Sequence, residues 1–155
     1  MAGVQNLKDI FLFKELSDQE MAVIDKISIE KDFSPGQDIF ISGQKASAFY
    51  LIRMGSIKIF TTSNKGDNLS IATLGSGSHF GEIPFLDSGV RSANAQTIEP
   101  SKIIEVPYSE LSKTLEANPN IGAKVFRAFS KYLAARLRNT LDDLGHAKEV
   151  KLKHF

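Results

Sequence analysis

The stretch Leu69-Ser70-Ile71-Ala72-Thr73-Leu74-Gly75-Ser76-Gly77 decides the fold, because it joins a run of alternating apolar residues to a glycine-rich turn. Alternation with a period of two is typical of a strand, and glycine is typical of the turn after it. The same combination recurs from about residue 29 to residue 107, and it predicts strands over residues 38–41, 49–53, 57–61, 69–74 and 102–106. The turns between them come at Pro35-Gly36, Gly43, Gly55, Asn64-Lys65-Gly66-Asp67 and Gly75-Ser76-Gly77. This spacing predicts an all-β middle of the sandwich or jelly-roll type.

Helical patterns flank the predicted strands. Ser17-Asp18-Gln19-Glu20 has the residues of a capping box, and apolar residues then recur at helical spacing. Residues 109–116 predict a short helix, and Asn118-Pro119 predicts the start of a longer one, with asparagine as the cap and proline in the first turn. Gly145 is expected to interrupt this last helix.

The long helix carries a stripe of apolar residues, and the sequence leaves its partner open. The stripe comprises Ile121, Val125, Phe129, Leu133, Leu137, Leu141 and Leu144. Packing against its own domain is the favoured interpretation, because the stripe is too short for a well-defined coiled-coil seam. A homodimer through this helix is the alternative.

Composition limits the classes of protein that the chain can belong to. Its 155 residues, 42% of them hydrophobic, suffice for one domain, which we expect over residues 1–145 with a tail over 146–155. The 19 basic and 18 acidic residues nearly cancel, which disfavours direct DNA binding. The absence of cysteine excludes disulfides, thiol catalysis and cysteine-ligated metals. With no signal peptide and no apolar run of membrane-spanning length in the sequence, we expect a cytoplasmic protein without membrane contact.

Phe80-Gly81-Glu82-Ile83, followed closely by Arg91-Ser92-Ala93, is the motif that points to chemistry. An arginine fork can bind two oxygens of a phosphate, whereas a carboxylate can accept a hydrogen bond from a sugar hydroxyl. A glycine gives the backbone conformational freedom between them. These residue types together suit a ligand with both a phosphate and a sugar hydroxyl, which is a nucleotide.

Several spaced motifs, taken in order, closely resemble the cyclic nucleotide-binding domain family, nearest to the sensor domain of the bacterial catabolite activator proteins. They are Phe33-x-Pro35-Gly36-Gln37-x-Ile39-Phe40, Tyr50-Leu51-Ile52-x-x-Gly55-x-Ile57, Leu74-Gly75-x-Gly77-x-x-Phe80-Gly81-Glu82 and Arg91-Ser92-Ala93. The resemblance covers roughly residues 8–145. It implies an α+β, mainly β, fold: a jelly roll of about eight strands with a short N-terminal helix, a phosphate-binding cassette helix and a long C-terminal helix.

The resemblance also implies roles for individual residues. Gly81, Arg91, Ser92 and Ala93 would bind the phosphate, assisted by the amides of the cassette helix, and Glu82 would bind the ribose 2′-hydroxyl. The base pocket would comprise Ile59, Ile71, Leu74, Phe80, Thr140 and Leu141. Leu141 replaces a polar base-binding residue of the catabolite activator, so the choice between cyclic AMP, the default, and cyclic GMP stays open.

The expected function is a regulatory module that binds a cyclic nucleotide and signals to an effector protein by moving its last helix. The sensor half of a transcription regulator without its helix-turn-helix, and a ligand-free scaffold of the same fold, are the alternatives. Haem binding at His79 is disfavoured, because a lone histidine is usually structural. We expect no catalytic residue, no metal and no cofactor, because neither a triad nor a convergent set of metal ligands is recognisable.

Overall fold

The computed structural model describes residues 11–153, and the side chains of residues 11–146. The strands of this part of the chain are β1 Ile29–Phe33, β2 Asp38–Phe40, β3 Ala48–Met54, β4 Ile57–Thr62, β5 Asn68–Leu74, β6 His79–Phe80, β7 Asn94–Thr97 and β8 Ser101–Pro107. The helices are α1 Asp18–Ile27, α2 Ile83–Asp87, α3 Tyr108–Ala117 and α4 Pro119–Lys153, and a 3₁₀ turn at Phe11–Phe13 precedes them. The predicted fold class is thereby confirmed.

The strands form two antiparallel four-stranded sheets, ordered β1-β8-β3-β6 and β2-β7-β4-β5. Strands far apart in sequence, such as β1 with β8 and β2 with β7, are neighbours in space, as in a jelly roll. Strands predicted from alternation agree with β2, β3, β4, β5 and β8.

Strand β3 is buried on both faces and divides the core in two. Phe49 and Leu51 pack with α1, α3 and α4, whereas Ala48, Tyr50 and Ile52 pack between the sheets. Because successive side chains of a strand point to opposite faces, a continuous apolar run supplies both cores at once.

The predicted capping box of α1 is present. The Ser17 hydroxyl accepts from the Glu20 amide at 3.2 Å, and the Glu20 carboxylate accepts from the Ser17 amide at 2.9 Å. The predicted start of α4 is also present, since the helix begins at Pro119 and the Gly122 amide donates to the Asn118 carbonyl oxygen. The Asn118 side-chain amide donates to the Thr114 carbonyl oxygen of the preceding helix α3.

The structure of helix α4 differs from two expectations. Gly145 does not interrupt it, because the helix continues to Lys153. Of the apolar stripe, Ile121, Val125 and Phe129 are buried in the domain core, whereas Leu137, Leu141 and Leu144 are exposed. The interpretation that the whole stripe packs against its own domain is therefore wrong for the second half of the helix. The division into a domain over 1–145 and a tail over 146–155 stays a prediction.

Candidate functional site

A cavity of about 660 Å³ lies between the β2-β7-β4-β5 sheet, the β6–α2 segment and helix α4. All but one of the residues predicted to bind a ligand line it: Ile59, Ile71, Leu74, Phe80, Gly81, Glu82, Arg91, Ser92, Ala93 and Thr140. Leu141 is the exception. Its side chain is 57% exposed and is not part of the lining, so this chain alone does not place it in the predicted base pocket.

Arg91 is a buried cation in the cavity wall, only 4% exposed. Its Nη1 donates to the Gly81 carbonyl oxygen at 2.9 Å and its Nη2 to the Ala48 carbonyl oxygen at 2.5 Å. The guanidinium also lies over the Phe40 ring, 4.1 Å from the ring centre. A buried charge is tolerated only when it is hydrogen-bonded, and these contacts fix the arginine beside the cavity.

Tyr108 completes the surroundings of Arg91. Nη1 of Arg91 lies 3.1 Å from the Tyr108 hydroxyl, and that hydroxyl donates to the Gly81 carbonyl oxygen. Burial raises the pKa of Tyr108 to about 12, although the Arg91 charge opposes the shift. The tyrosine is therefore a neutral donor at physiological pH, and it joins α3 to the cavity wall.

Gly81 has a backbone conformation that excludes other residues. Its φ is +79°, and a Cβ at this position would lie 2.8 Å from Arg91 Nη1 and 3.2 Å from Phe40 Cε2. Only glycine combines this φ with such close packing. The short helix α2 begins two residues later, with Pro84 in its first turn, where the missing N–H costs little.

Glu82 is a buried carboxylate, 2% exposed, that faces two basic side chains. Its Oε2 lies 3.5 Å from His79 Nδ1, and its Oε1 lies 4.0 Å from Arg136 Nη1 on α4. Burial raises the pKa of the nearby Tyr132, and the Glu82 charge raises it further. Glu82 thus places a negative charge where the cavity meets α4.

Helix α4 contributes lining residues that sequence reasoning missed: Tyr132, Arg136, Asn139 and Asp143. They share one face with Thr140, at intervals of three or four residues. Leu141 is rotated by about 100° from Thr140 and therefore faces away. Helical spacing from Thr140 would have identified the polar face. His79, considered only as a haem ligand, also lines the cavity.

Aromatic contacts join the segment after Glu82 to helix α4. The Phe85 ring of α2 lies 6.2 Å from Phe126 and 6.3 Å from Phe129, both on α4. It also lies 5.4 Å from the ring of Tyr108, the partner of Arg91. The cavity wall and the buried half of α4 are therefore in continuous contact.

Metal-binding clusters and membrane-spanning helices are both absent from the described part of the chain. No cluster of three or more histidine, cysteine or acidic side chains able to hold a metal ion is present among those residues. None of the helices within the same residues combines the length and apolarity that a membrane span requires.

The fold and the cavity define a jelly-roll domain whose cavity is lined by both a buried cation, Arg91, and a buried anion, Glu82. Comparison with known proteins makes this specific: the chain belongs to the cyclic nucleotide-binding domain family, whose model matches residues 30–118. The family resemblance predicted from the sequence is confirmed.

Individual relatives agree with this assignment. The chain is 32% identical over 127 residues to the cyclic AMP receptor protein of Thermus thermophilus, in an alignment that covers 82% of this chain and 57% of the relative. The crystal structure of the Thermus thermophilus catabolite activator protein superposes with a TM-score of 0.77 at 28% identity, over 86% of this chain and 61% of that one. Glutaminase 2 of Bradyrhizobium diazoefficiens is 28% identical over 126 residues, which are 81% of this chain but 19% of that enzyme. The chain thus spans little more than half of the first relative and a small part of the enzyme.

Proposed function

We propose that this chain is a regulatory module that binds a cyclic nucleotide, with cyclic AMP as the default, and signals by moving helix α4. The observation that carries the proposal is that buried Arg91 and buried Glu82 both line one cavity in a member of this family. The two charges suit a ligand that carries an anionic phosphate and a neutral sugar hydroxyl.

In this proposal Arg91 binds the cyclic phosphate, together with Gly81, Ser92 and Ala93. Arg91 already donates three of its five N–H groups, two to carbonyl oxygens and one to the Tyr108 hydroxyl. The remaining donors serve the ligand without loss of the anchor that holds the side chain. The Glu82 carboxylate accepts a hydrogen bond from the ribose 2′-hydroxyl, on the side of the cavity that α4 lines.

The base lies between the apolar strand residues Ile59, Ile71 and Leu74 and the polar face of α4. Asn139, Thr140 and Asp143 offer both donors and acceptors to a purine edge. This set serves adenine or guanine, so cyclic AMP is preferred because of the family resemblance and the name of the first relative.

Helix α4 transmits the signal because its two halves have different partners. The first half is anchored in the core by Val125 and Phe129, and the second half carries Arg136 and Thr140 on the cavity wall. A ligand can shift the equilibrium between two helix positions only by as much as its binding free energy differs between them. Contacts of the ligand with the second half supply that difference, while Phe85 joins the cassette helix to the first half.

A homodimer through α4 is part of the proposal. Leu137, Leu141 and Leu144 are exposed at i, i+4 and i+7, which is the spacing of a helix–helix seam. The effector that receives the signal is a second protein chain, and the protein acts in the cytoplasm without contact with DNA or membrane through this chain.

The partial coverage of the relatives favours a second candidate, the sensor half of a transcription regulator whose DNA-binding half lies outside this chain. The catabolite activator structure extends well beyond the 61% that this chain matches. This second candidate has the same ligand site as the first proposal. It differs only in what receives the signal, which is a DNA-binding half rather than a separate effector protein. A ligand-free scaffold is the remaining alternative, and neither candidate makes the chain an enzyme.

Thermal melting in the presence of cyclic nucleotides tests the proposal. A ligand that binds the native state raises the melting temperature by mass action. We expect cyclic AMP or cyclic GMP at saturating concentration to raise the melting temperature, and a cyclic dinucleotide to leave it unchanged. A scaffold without a ligand would show no shift with any of the three.

A further inference from the structure

His79 is a buried histidine whose hydrogen-bonding capacity is unused. It lies on β6, is 4% exposed and lines the cavity. Neither Nδ1 nor Nε2 has a hydrogen-bond partner among the described residues. Most buried polar groups in folded proteins are hydrogen-bonded, so an imidazole left unpaired beside a binding cavity requires an explanation.

The Glu82 carboxylate is a charged group that lies close to His79. Nδ1 lies 3.5 Å from Glu82 Oε2, which is longer than the roughly 2.7–2.9 Å of a charge-assisted hydrogen bond. From α4, Arg136 lies 4.0 Å from the other carboxylate oxygen, and the Tyr132 ring lies 4.4 Å from the imidazole centre. Glu82 therefore stands between two basic groups, neither at full hydrogen-bonding distance.

We propose that His79 is a positioning residue for Glu82. His79 donates its Nδ1–H to Glu82 Oε2 and turns the carboxylate so that its free lone pairs meet the 2′-hydroxyl of the bound sugar. The inference rests on the proposed function, since it concerns the same ligand. His79 acts through Glu82, and its effect is confined to ligands that have a 2′-hydroxyl.

Packing is the competing explanation, because the His79 ring lies against Tyr132 and, edge-on, 6.4 Å from Phe129. A purely packing residue would support the whole cavity and would affect every ligand equally. Phenylalanine at position 79 keeps an aromatic ring there but removes both ring nitrogens. Asparagine loses the ring but keeps an amide N–H close to the position of Nδ1.

The experiment measures the affinity of the full chain for cyclic AMP and for 2′-deoxy cyclic AMP by isothermal titration calorimetry. Wild-type protein is expected to prefer the hydroxylated ligand by about tenfold. His79→Phe is expected to weaken cyclic AMP binding by most of that factor and to leave 2′-deoxy cyclic AMP binding unchanged. His79→Asn is expected to restore part of the preference, and His146→Phe, at an exposed histidine, is the matched control.

The outcomes separate this inference from the proposed function. Equal weakening of both ligands by His79→Phe makes His79 a packing residue and overturns the inference, as does unchanged affinity for both. If the wild type binds both ligands equally, the inference fails while ligand binding stands. If the wild type binds neither cyclic AMP nor cyclic GMP, the proposed function fails and the inference with it. Should His79→Phe not fold, His79→Leu, which also lacks ring nitrogens, takes its place: loss of the preference for cyclic AMP is expected, and a retained preference would contradict the inference.

Discussion

Arg91 and Gly81 are in direct contact: Nη1 of the arginine donates to the Gly81 carbonyl oxygen at 2.9 Å, and a Cβ on Gly81 would come within 2.8 Å of that nitrogen. The glycine therefore does two things at once. It adopts a φ of +79°, and it leaves the guanidinium room to reach its position in the cavity wall.

Gly81→Ala is expected to lower stability by about 1–3 kcal/mol, because alanine at this φ is strained, and also to abolish the cyclic nucleotide-induced shift in melting temperature. Gly66→Ala is the matched control, since Gly66 has a φ of +86° but a Cβ there would meet nothing within 4 Å. It should show the strain without the loss of binding. Equal binding by Gly81→Ala and wild type would contradict the close-packing explanation.

Thr140 and Leu141 are neighbours on α4, but only Thr140 lines the cavity, so the two residues form a matched pair. Thr140→Ala is expected to weaken cyclic nucleotide binding about threefold to tenfold, the worth of one neutral hydrogen bond. Leu141→Ala should leave the affinity of a single site unchanged, since Leu141 does not line the cavity. Fluorescence titration would decide, and a larger effect from Leu141→Ala would mean that the base contacts the other face of the helix.

The exposed leucines of α4 are expected to hold two chains together. Replacing Leu137, Leu141 and Leu144 by glutamine should yield monomers at concentrations where the wild type is dimeric, as measured by analytical ultracentrifugation. Ile98→Gln, at an exposed apolar residue outside α4, is the control and should not alter the mass. A wild type that is monomeric throughout, or a variant that still dimerises, would exclude this seam.

The Glu20–Lys124 ion pair predicts a small dependence of stability on pH. The hydrogen bond from Lys124, at 2.7 Å, lowers the pKa of Glu20 below its ordinary value. The ion pair therefore contributes to stability at pH values above the ordinary pKa of glutamate. This contribution is lost as the pH falls through the lowered pKa of Glu20. Lys124 is partly exposed, so the contribution is about 0.5 kcal/mol or less.

Glu20→Gln tests this pH dependence, because glutamine keeps an acceptor for the Ser17 amide and removes the charge. Urea unfolding at pH 7 and pH 3 should show a smaller loss of stability for the variant than for the wild type. Identical losses in the two proteins would show that the ion pair is irrelevant to acid stability.

Much of the fold could be predicted from local signals. Strands β2, β3, β4, β5 and β8 follow from alternation, and α1 follows from its capping box. The predicted strands did not include β1, β6 or β7. The two residues of β6 and the mostly polar residues of β7 are strands only through pairing with distant partners. Gly145 was misleading for a different reason: one glycine in an exposed helix costs only about 1 kcal/mol, which a long helix tolerates.

The residues that line the cavity could be predicted where they form a compact motif. They were harder to predict where their position depends on the rotation of helix α4. Gly81, Glu82 and Arg91 were identified together, because their spacing is short and their chemistry is distinctive. Arg136 and Asp143 were missed, because their positions in the cavity wall depend on how α4 packs across the domain. That packing is a tertiary property that no local pattern records.

Calorimetric titration of cyclic AMP, with cyclic GMP alongside it, into the wild type and into Arg91→Ala is the most direct test of nucleotide sensing. The wild type should bind one of the two nucleotides with saturation, and Arg91→Ala should bind it at least tenfold more weakly, since a charge-assisted hydrogen bond contributes about 1.5–3 kcal/mol. Arg138→Ala, at an exposed arginine on α4, should match the wild type. Unchanged affinity in folded Arg91→Ala, or no binding of either nucleotide by the wild type, would contradict a phosphate-binding site at Arg91.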